Sequence, residues 1–168
     1  MPDLFTHALV GYVIATTLSF RYEWITTPWV TIVMMGAFIP DMTKIRLLVP
    51  SSRIEQLLGI PFDWFGLHTV GGAAVSVLIG AILVSDTHRR RVIALLVVGA
   101  GSHLFLDAFL ITTSGYMAPM IWPVTSHEFP MPGFYLSSDR WPAVVAGAFA
   151  TLAWWIRDRQ LSESSFGH

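Results

Sequence analysis

Long apolar runs separated by short polar or proline-containing segments dominate the pattern of the chain. They cover residues 4–20, 27–41, 65–85, 92–112 and 141–156. A helix that crosses a membrane needs about 20 mostly apolar residues, with roughly 17 to 25 tolerated. The pattern therefore predicts about five transmembrane helices, of which the second is short unless it continues past Pro40.

Shorter signals refine these bounds. Thr27 is a predicted N-cap with Pro28 at the first helical position. Residues 51–66, "SSRIEQLLGIPFDWFG", are less apolar, and Ser52 and Glu55 have the spacing of a capping box. This segment predicts a short interfacial helix between the second and third apolar runs.

The composition supports an integral membrane protein, because 54% of the residues are hydrophobic and only 12% are charged. We predict an all-α, polytopic membrane protein in which residues 1–160 form one small transmembrane bundle and residues 161–168 a polar tail. The chain has no cysteine, which excludes disulfides, thiolate nucleophiles and iron–sulfur clusters. No basic patch with interleaved aromatics points to nucleic acid.

The positively charged residues predict an orientation, since cytoplasmic loops carry an excess of Lys and Arg. With the N-terminus on one side, six basic residues fall on the opposite side and four on the same side: Arg21, Arg89, Arg90, Arg91, Arg157 and Arg159 against Lys44, Arg46, Arg53 and Arg140. The side of the N-terminus is therefore predicted to be extracytoplasmic.

Ionisable residues recur at one depth of this predicted bundle. His7, Asp41 and His68 lie near the extracytoplasmic ends of the first three helices. The fourth helix contains "GSHLFLDAF", where His103 and Asp107 are four residues apart and share a helical face. Ionisable groups cost at least about 2.5 to 3.5 kcal/mol at the centre of a membrane helix and are functional by default. We therefore predict one shared polar site rather than five separate packing roles.

The remaining histidines fit a plainer interpretation. His88 is predicted to be a solvated cytoplasmic loop residue and His168 to belong to the polar tail. His127 and Glu128 fall in the long loop before the fifth helix, where they are loop residues unless that loop reaches the site.

Three histidines and two aspartates suit a divalent metal, with Zn²⁺ favoured and Mn²⁺ or Fe²⁺ acceptable, and one or two ions would fit. A metal with an open coordination position activates water near neutral pH. This chemistry predicts hydrolysis without a side-chain nucleophile.

Ordered motifs carry a resemblance to a known family. "DLFTHALVGY", "GAFIPDM", "LHTVGG" and "GSHLFLDAF", followed by Trp122 and Pro123, resemble the YdjM-like family of small membrane-bound metal-dependent hydrolases, which includes LexA-regulated inner-membrane members. The resemblance implies that His7, Asp41, His68, His103 and Asp107 are the metal ligands. The H-x-x-x-D element is also similar to one in zinc-dependent phospholipases C.

The chain departs from this family at two positions. Family members often carry a second acidic residue where this chain has Thr43, and a histidine where it has Asp63. Asp63 can still act as a ligand or base, but the loss of one donor puts a second metal in doubt.

These observations lead to a membrane-embedded metal-dependent hydrolase, with Asp41 and Asp107 as catalytic carboxylates and a phosphoester or ester of a lipid or amphiphile as substrate. Lys44, Arg46 and Arg53 lie near the same mouth and are candidates for holding an anionic head group or for contacting phospholipid. One alternative is a transporter or a proton or metal relay through the same cluster. Another is a haem protein with two axial histidines, which the clustered aspartates disfavour.

Overall fold

The computed structural model is all-helical. It describes residues 4–130 and 133–166, and for residues 161 and 163–166 it describes only the backbone. Its α-helices are α1 (Leu4–Ser19), α2 (Thr27–Phe38), α3 (Ser51–Leu58), α4 (Val70–Ile82), α5 (Asp86–Asp107) and α6 (Trp141–Phe166). Two 3₁₀-helices, Pro40–Leu47 and Trp64–His68, precede α3 and α4. Within the described residues, β-structure is confined to isolated bridges.

The prediction of about five transmembrane helices is wrong. Across residues 4–130 and 133–166, no helix combines the length and the apolar character that a membrane crossing requires. Three helices in the predicted spans are too short, since α1, α2 and α4 contain 16, 12 and 13 residues. The longer helices include charged segments, "DTHRRR" at the start of α5 and "RDRQ" late in α6. Apolar runs that are continuous in the sequence are thus divided among shorter elements.

The divisions have local causes. The backbone after α2 tightens into a 3₁₀-helix at Pro40, so the second apolar run does not continue as an α-helix. The third run is split because residues 64–68 form a separate 3₁₀-helix ahead of Val70. In contrast, α6 extends to Phe166 and includes most of the predicted tail, whereas Gly167 and His168 lie outside the described residues.

Two sequence-predicted caps are also revised. Thr26, rather than Thr27, is the N-cap of α2, and Pro28 lies in its first turn. Pro50 is the N-cap of α3 and no side chain caps this helix. The Glu55 carboxylate accepts a hydrogen bond from the Phe62 backbone N–H at 3.0 Å, which ties the end of α3 to the following segment instead of forming a capping box.

Helix α2 packs between α1 and α5, and this arrangement positions the site. The contact between α2 and α5 is close because glycines face each other. A Cβ at Gly99 would collide with the backbone of Val33 and Ala37, and a Cβ at Gly36 would collide with Leu96. Val33 is fully buried beside this contact, and full burial of such a side chain contributes roughly 1.5–3 kcal/mol.

The loop before α6 is attached to the start of α4. The Val70 N–H donates to the Met120 carbonyl at 2.7 Å, and the Gly71 N–H donates to the Trp122 carbonyl at 2.9 Å. These bonds satisfy N–H groups at the N-terminus of α4 that have no partner within the helix. They also fix the loop as one wall of a cavity beside the site.

Candidate metal centre

Five ionisable side chains from four elements converge inside the molecule. His7 comes from α1, Asp41 from the first 3₁₀-helix, His68 from the end of the second, and His103 and Asp107 from α5. Their exposed fractions are all between 0% and 3%. The structure therefore brings together every residue that the sequence analysis assigned to the site.

Local structure explains how each side chain reaches this point. Asp41 lies in the first turn of the 3₁₀-helix that begins at Pro40. His68 ends the second 3₁₀-helix, and the next residue, Thr69, caps α4 by accepting a hydrogen bond from the Gly72 N–H at 3.1 Å. His103 and Asp107 are one turn apart on α5, so their side chains lie on the same face.

The Asp107 carboxylate is the centre of the cluster. Its Oδ1 lies 3.3 Å from the Nε2 of His7, and its Oδ2 lies 3.0 Å from the Nε2 of His68 and 3.4 Å from that of His103. Four ligands of a tetrahedral zinc site with bonds of 2.0–2.1 Å are about 3.3 Å apart. The three distances to Asp107 are close to this value, and the donor atoms of His7, His103 and Asp107 all lie within 4.8 Å of one another, so these three residues could hold a small divalent cation.

Backbone carbonyls set the orientation of two imidazoles. The Nδ1 of His103 lies 2.7 Å from the Ala37 carbonyl oxygen, and the Nδ1 of His68 lies 3.2 Å from the Pro40 carbonyl oxygen. A carbonyl only accepts, so each Nδ1 carries the hydrogen, and in a neutral imidazole the Nε2 then presents its lone pair. Histidines that bind metals are commonly held this way, with the other ring nitrogen donating to a carbonyl or carboxylate.

Several polar atoms in the cluster have no hydrogen-bond partner within the described part of the chain. They are Nδ1 and Nε2 of His7, Nε2 of His103, Oδ1 of Asp41 and both carboxylate oxygens of Asp107. The short N···O approaches to Asp107 lack hydrogen-bond geometry, as expected when lone pairs face a carboxylate. A buried polar group without a partner costs about 1–3 kcal/mol. A cation among these atoms would remove that cost, so the residues present fit a divalent metal.

The protonation states also suit metal binding. Burial lowers the pKa of His7, and the nearby His103 adds to this effect against the opposing influence of Asp107. The rings of His7 and His103 stack with centroids 3.6 Å apart. Neutral imidazole and ionised carboxylate are the forms that bind metals.

Asp41 has a different environment from Asp107. Its Oδ2 pairs with Lys44 Nζ at 2.8 Å, whereas its Oδ1 is buried and has no hydrogen-bond partner among the described residues. Two sets of donor atoms lie within metal-binding distance of one another: one is His7, His103 and Asp107, and the other is Asp41, His68 and His103. Because the Nδ1 of His103 is bonded to Ala37, only its Nε2 is free, and His103 can bind one ion rather than bridge two.

A cavity of about 200 Å³ opens beside the cluster. His68 and Asp107 form part of its wall, so the cavity reaches the donor atoms. The remaining lining residues are mostly apolar with a few polar members: Thr43, Arg46, Phe65, Leu110, Thr112, Met117, Ala118 and Met120. The cavity therefore reaches a cluster of side chains that are otherwise buried.

Other candidates from the sequence lie outside the cluster. Asp63 is exposed and accepts a hydrogen bond from the Phe65 N–H at 2.9 Å, so it caps the 3₁₀-helix that carries His68. His127 and Glu128 are exposed loop residues, and neither belongs to a metal-binding set among the described residues. His88 is exposed and lies 3.2 Å from the Ser85 hydroxyl. The stacked His7 and His103 leave no space for a haem between them.

Sequence reasoning missed Tyr135, which supports the site from behind. Its hydroxyl donates to the Leu106 carbonyl at 2.6 Å, next to Asp107 in the last turn of α5. Burial, together with the charge of Asp107, raises the pKa of Tyr135 to about 12. No local pattern around Tyr135 signals this contact, because 29 residues separate the two partners.

The fold and the cluster define an all-helical protein with a buried His/Asp centre suited to a divalent metal. The chain belongs to the family of the YdjM inner membrane protein, whose family model matches residues 1–166. This membership confirms the resemblance in the sequence motifs and supports a membrane location. Searches of curated proteins and of solved structures find no match.

Proposed function

We propose that this protein is a metal-dependent hydrolase that holds one divalent cation, most favourably Zn²⁺, at the His/Asp cluster. The observation that carries the proposal is the approach of three imidazole Nε2 atoms to the unpartnered carboxylate of Asp107. His7, His103 and Asp107, whose donor atoms lie within 4.8 Å of one another, would hold the ion, and His68 lies beside them with its Nε2 3.0 Å from Asp107 Oδ2. Three imidazoles and a carboxylate are borderline ligands that suit zinc and also accept manganese or iron.

A divalent cation with an open coordination position polarises an ester or phosphoryl oxygen and lowers the pKa of a coordinated water. The protein supplies the rest of the chemistry. Asp41 has one oxygen fixed by Lys44 and the other buried without a partner, and it lies within 4.8 Å of donor atoms of His68 and His103. In the proposal this free oxygen orients the attacking water and accepts its proton, a contribution of typically 10²–10⁴-fold.

The substrate class follows from the cavity and the family. Most residues that line the cavity are apolar, and the family is described as an inner membrane protein. We therefore propose a phosphoester or ester of a lipid or amphiphile, taken from the membrane surface. The alternative of a transporter or relay has less support, because buried side chains towards the opposite end of α1, α2 and α5 are mainly apolar, including Ala15, Val33 and Leu95.

We further propose that the site faces the extracytoplasmic side. The run Arg89–Arg91 lies near the start of α5, one helix length from Asp107. Basic clusters are attracted to the anionic cytoplasmic leaflet. In a chain without cysteine, a Ser126→Cys thiol in the exposed loop should react with an impermeant maleimide added to intact cells. Reaction only after lysis would place the site on the cytoplasmic side.

Hydrolysis is tested with Asn substitutions that keep side-chain size and remove charge. Asp41→Asn and Asp107→Asn should each reduce turnover of an active phospholipid or ester from a screened panel by at least ~100-fold. Asp63→Asn is the matched control, since Asp63 is exposed and outside the cluster. Normal melting together with wild-type turnover in both site variants would contradict the mechanism.

A further inference from the structure

The cavity beside the cluster contains one positively charged side chain, that of Arg46. Two other basic side chains that the sequence places near this cavity do not line it. Lys44 is paired with Asp41 at 2.8 Å and does not line the cavity. Arg53 lies on α3 and is also absent from the wall. The structure therefore separates three cations that the sequence alone leaves equivalent.

Arg46 has no acidic partner among the described residues, whose ion pairs involve other cations. Its charge is therefore available to a ligand. A guanidinium forms paired, charge-assisted hydrogen bonds with phosphate or carboxylate oxygens. Thr43 and Thr112 line the same cavity and are polar. The Thr43 hydroxyl donates to the Pro40 carbonyl at 3.2 Å, so its oxygen is held in place within the wall.

The size of the cavity limits what enters it. A volume of about 200 Å³ is below the roughly 300–1,000 Å³ of pockets that enclose a drug-sized ligand. A head group with a few carbon atoms can enter, whereas a long chain must remain outside. Leu47 and Leu48 directly follow Arg46 and are 80% and 82% exposed, which provides apolar surface beside this residue in the chain.

We propose that Arg46 is the residue that recognises the substrate's anionic group, and that the substrate is an amphiphile with a phosphate-type oxyanion head on an apolar chain. This inference rests on the proposed function, because it assigns the substrate class of the same site. Phe65, Met117 and Met120 contact the first carbons of the chain, while Arg46 and the cation offset the negative charge of the head beside Asp107.

The test measures binding rather than turnover. Hexyl phosphate, inorganic phosphate and hexanol are titrated by calorimetry into zinc-loaded and chelator-treated protein, using wild type, Arg46→Gln and the control Arg53→Gln. Arg46→Gln should weaken hexyl phosphate binding at least about tenfold, the loss expected for a charged hydrogen bond. Arg53→Gln should change it less than about twofold, because Arg53 does not line the cavity. Hexanol binding should be unchanged in both variants.

Equal effects of Arg46→Gln and Arg53→Gln on hexyl phosphate would overturn the assignment of Arg46. If inorganic phosphate binds as tightly as hexyl phosphate, the proposal that the substrate is an amphiphile is wrong. The comparison of the two variants and the comparison of the two phosphates are also made on chelator-treated protein. They therefore decide the inference even if the protein binds no zinc. Failure to bind zinc would refute the proposed function instead. Zinc binding with no effect of Arg46→Gln would leave the proposed function standing and remove this inference.

Discussion

The Nδ1 atom of His103 lies 2.7 Å from the carbonyl oxygen of Ala37. This contact joins α5 to the last turn of α2, from which the chain continues into the 3₁₀-helix that carries Asp41. It directs the Nε2 lone pair of His103 towards the cluster. The geometry of the site therefore depends on how closely α2 and α5 approach each other.

The glycine contact between these helices provides a test of that dependence. Gly99→Ala should destabilise the fold by about 1–3 kcal/mol, because the added methyl collides with the α2 backbone. It should also weaken metal binding by about 10–100-fold, as for other losses of support to a ligand. Thermal unfolding and competitive metal titration measure the two effects.

Gly101→Ala is the matched control, since a Cβ at Gly101 meets nothing within 4 Å. It should leave metal affinity unchanged and add up to about 1 kcal/mol of helix stability. If the two variants bind metal equally well, the approach of α2 and α5 does not set the site.

The convergence of the five ionisable residues is easier to predict from the sequence than the lengths of the helices. Polar residues such as His103 and Asp107 stand out in apolar runs, and their spacing of four indicates a common helical face. Helix length is less accessible, because an apolar run does not reveal where the backbone tightens. The 3₁₀-helices after Pro40 and before Val70 shorten the predicted spans. The contact of Tyr135 with Leu106 depends on tertiary folding and has no local signal.

Asp63 is expected to act through structure rather than as a ligand. Asp63→Ala removes the hydrogen bond from the Phe65 N–H, which should lower stability by about 0.5–2 kcal/mol, the usual effect of losing a helix cap. At saturating zinc, the number of ions bound per chain should not change. A lower stoichiometry in a folded Asp63→Ala protein would show that Asp63 is a ligand.

The phenol of Tyr135 is expected to ionise only in strongly alkaline solution. The chain has 4 tyrosines, and Tyr135 should ionise near pH 12, well above the ordinary value of about 10. The folded protein favours the neutral phenol, and this preference contributes to the free energy of unfolding. The contribution is complete below pH ~10 and is lost as the pH rises through about 12. Near-ultraviolet phenolate absorbance should show a late step that is absent in Tyr135→Phe. A wild-type titration in which all tyrosines ionise together near pH 10 while the protein is folded would contradict this environment.

The metal content of purified protein tests the central claim most directly. Protein prepared without chelators and analysed for elements should contain about one zinc, manganese or iron ion per chain in wild type. His103→Ala should lose this metal while circular dichroism shows that it remains helical. His88→Ala should retain it, because His88 is exposed at the start of α5, far from Asp107 at its end. Equal metal content in His103→Ala, His88→Ala and wild type, or no metal in any of them after zinc loading, would contradict the account.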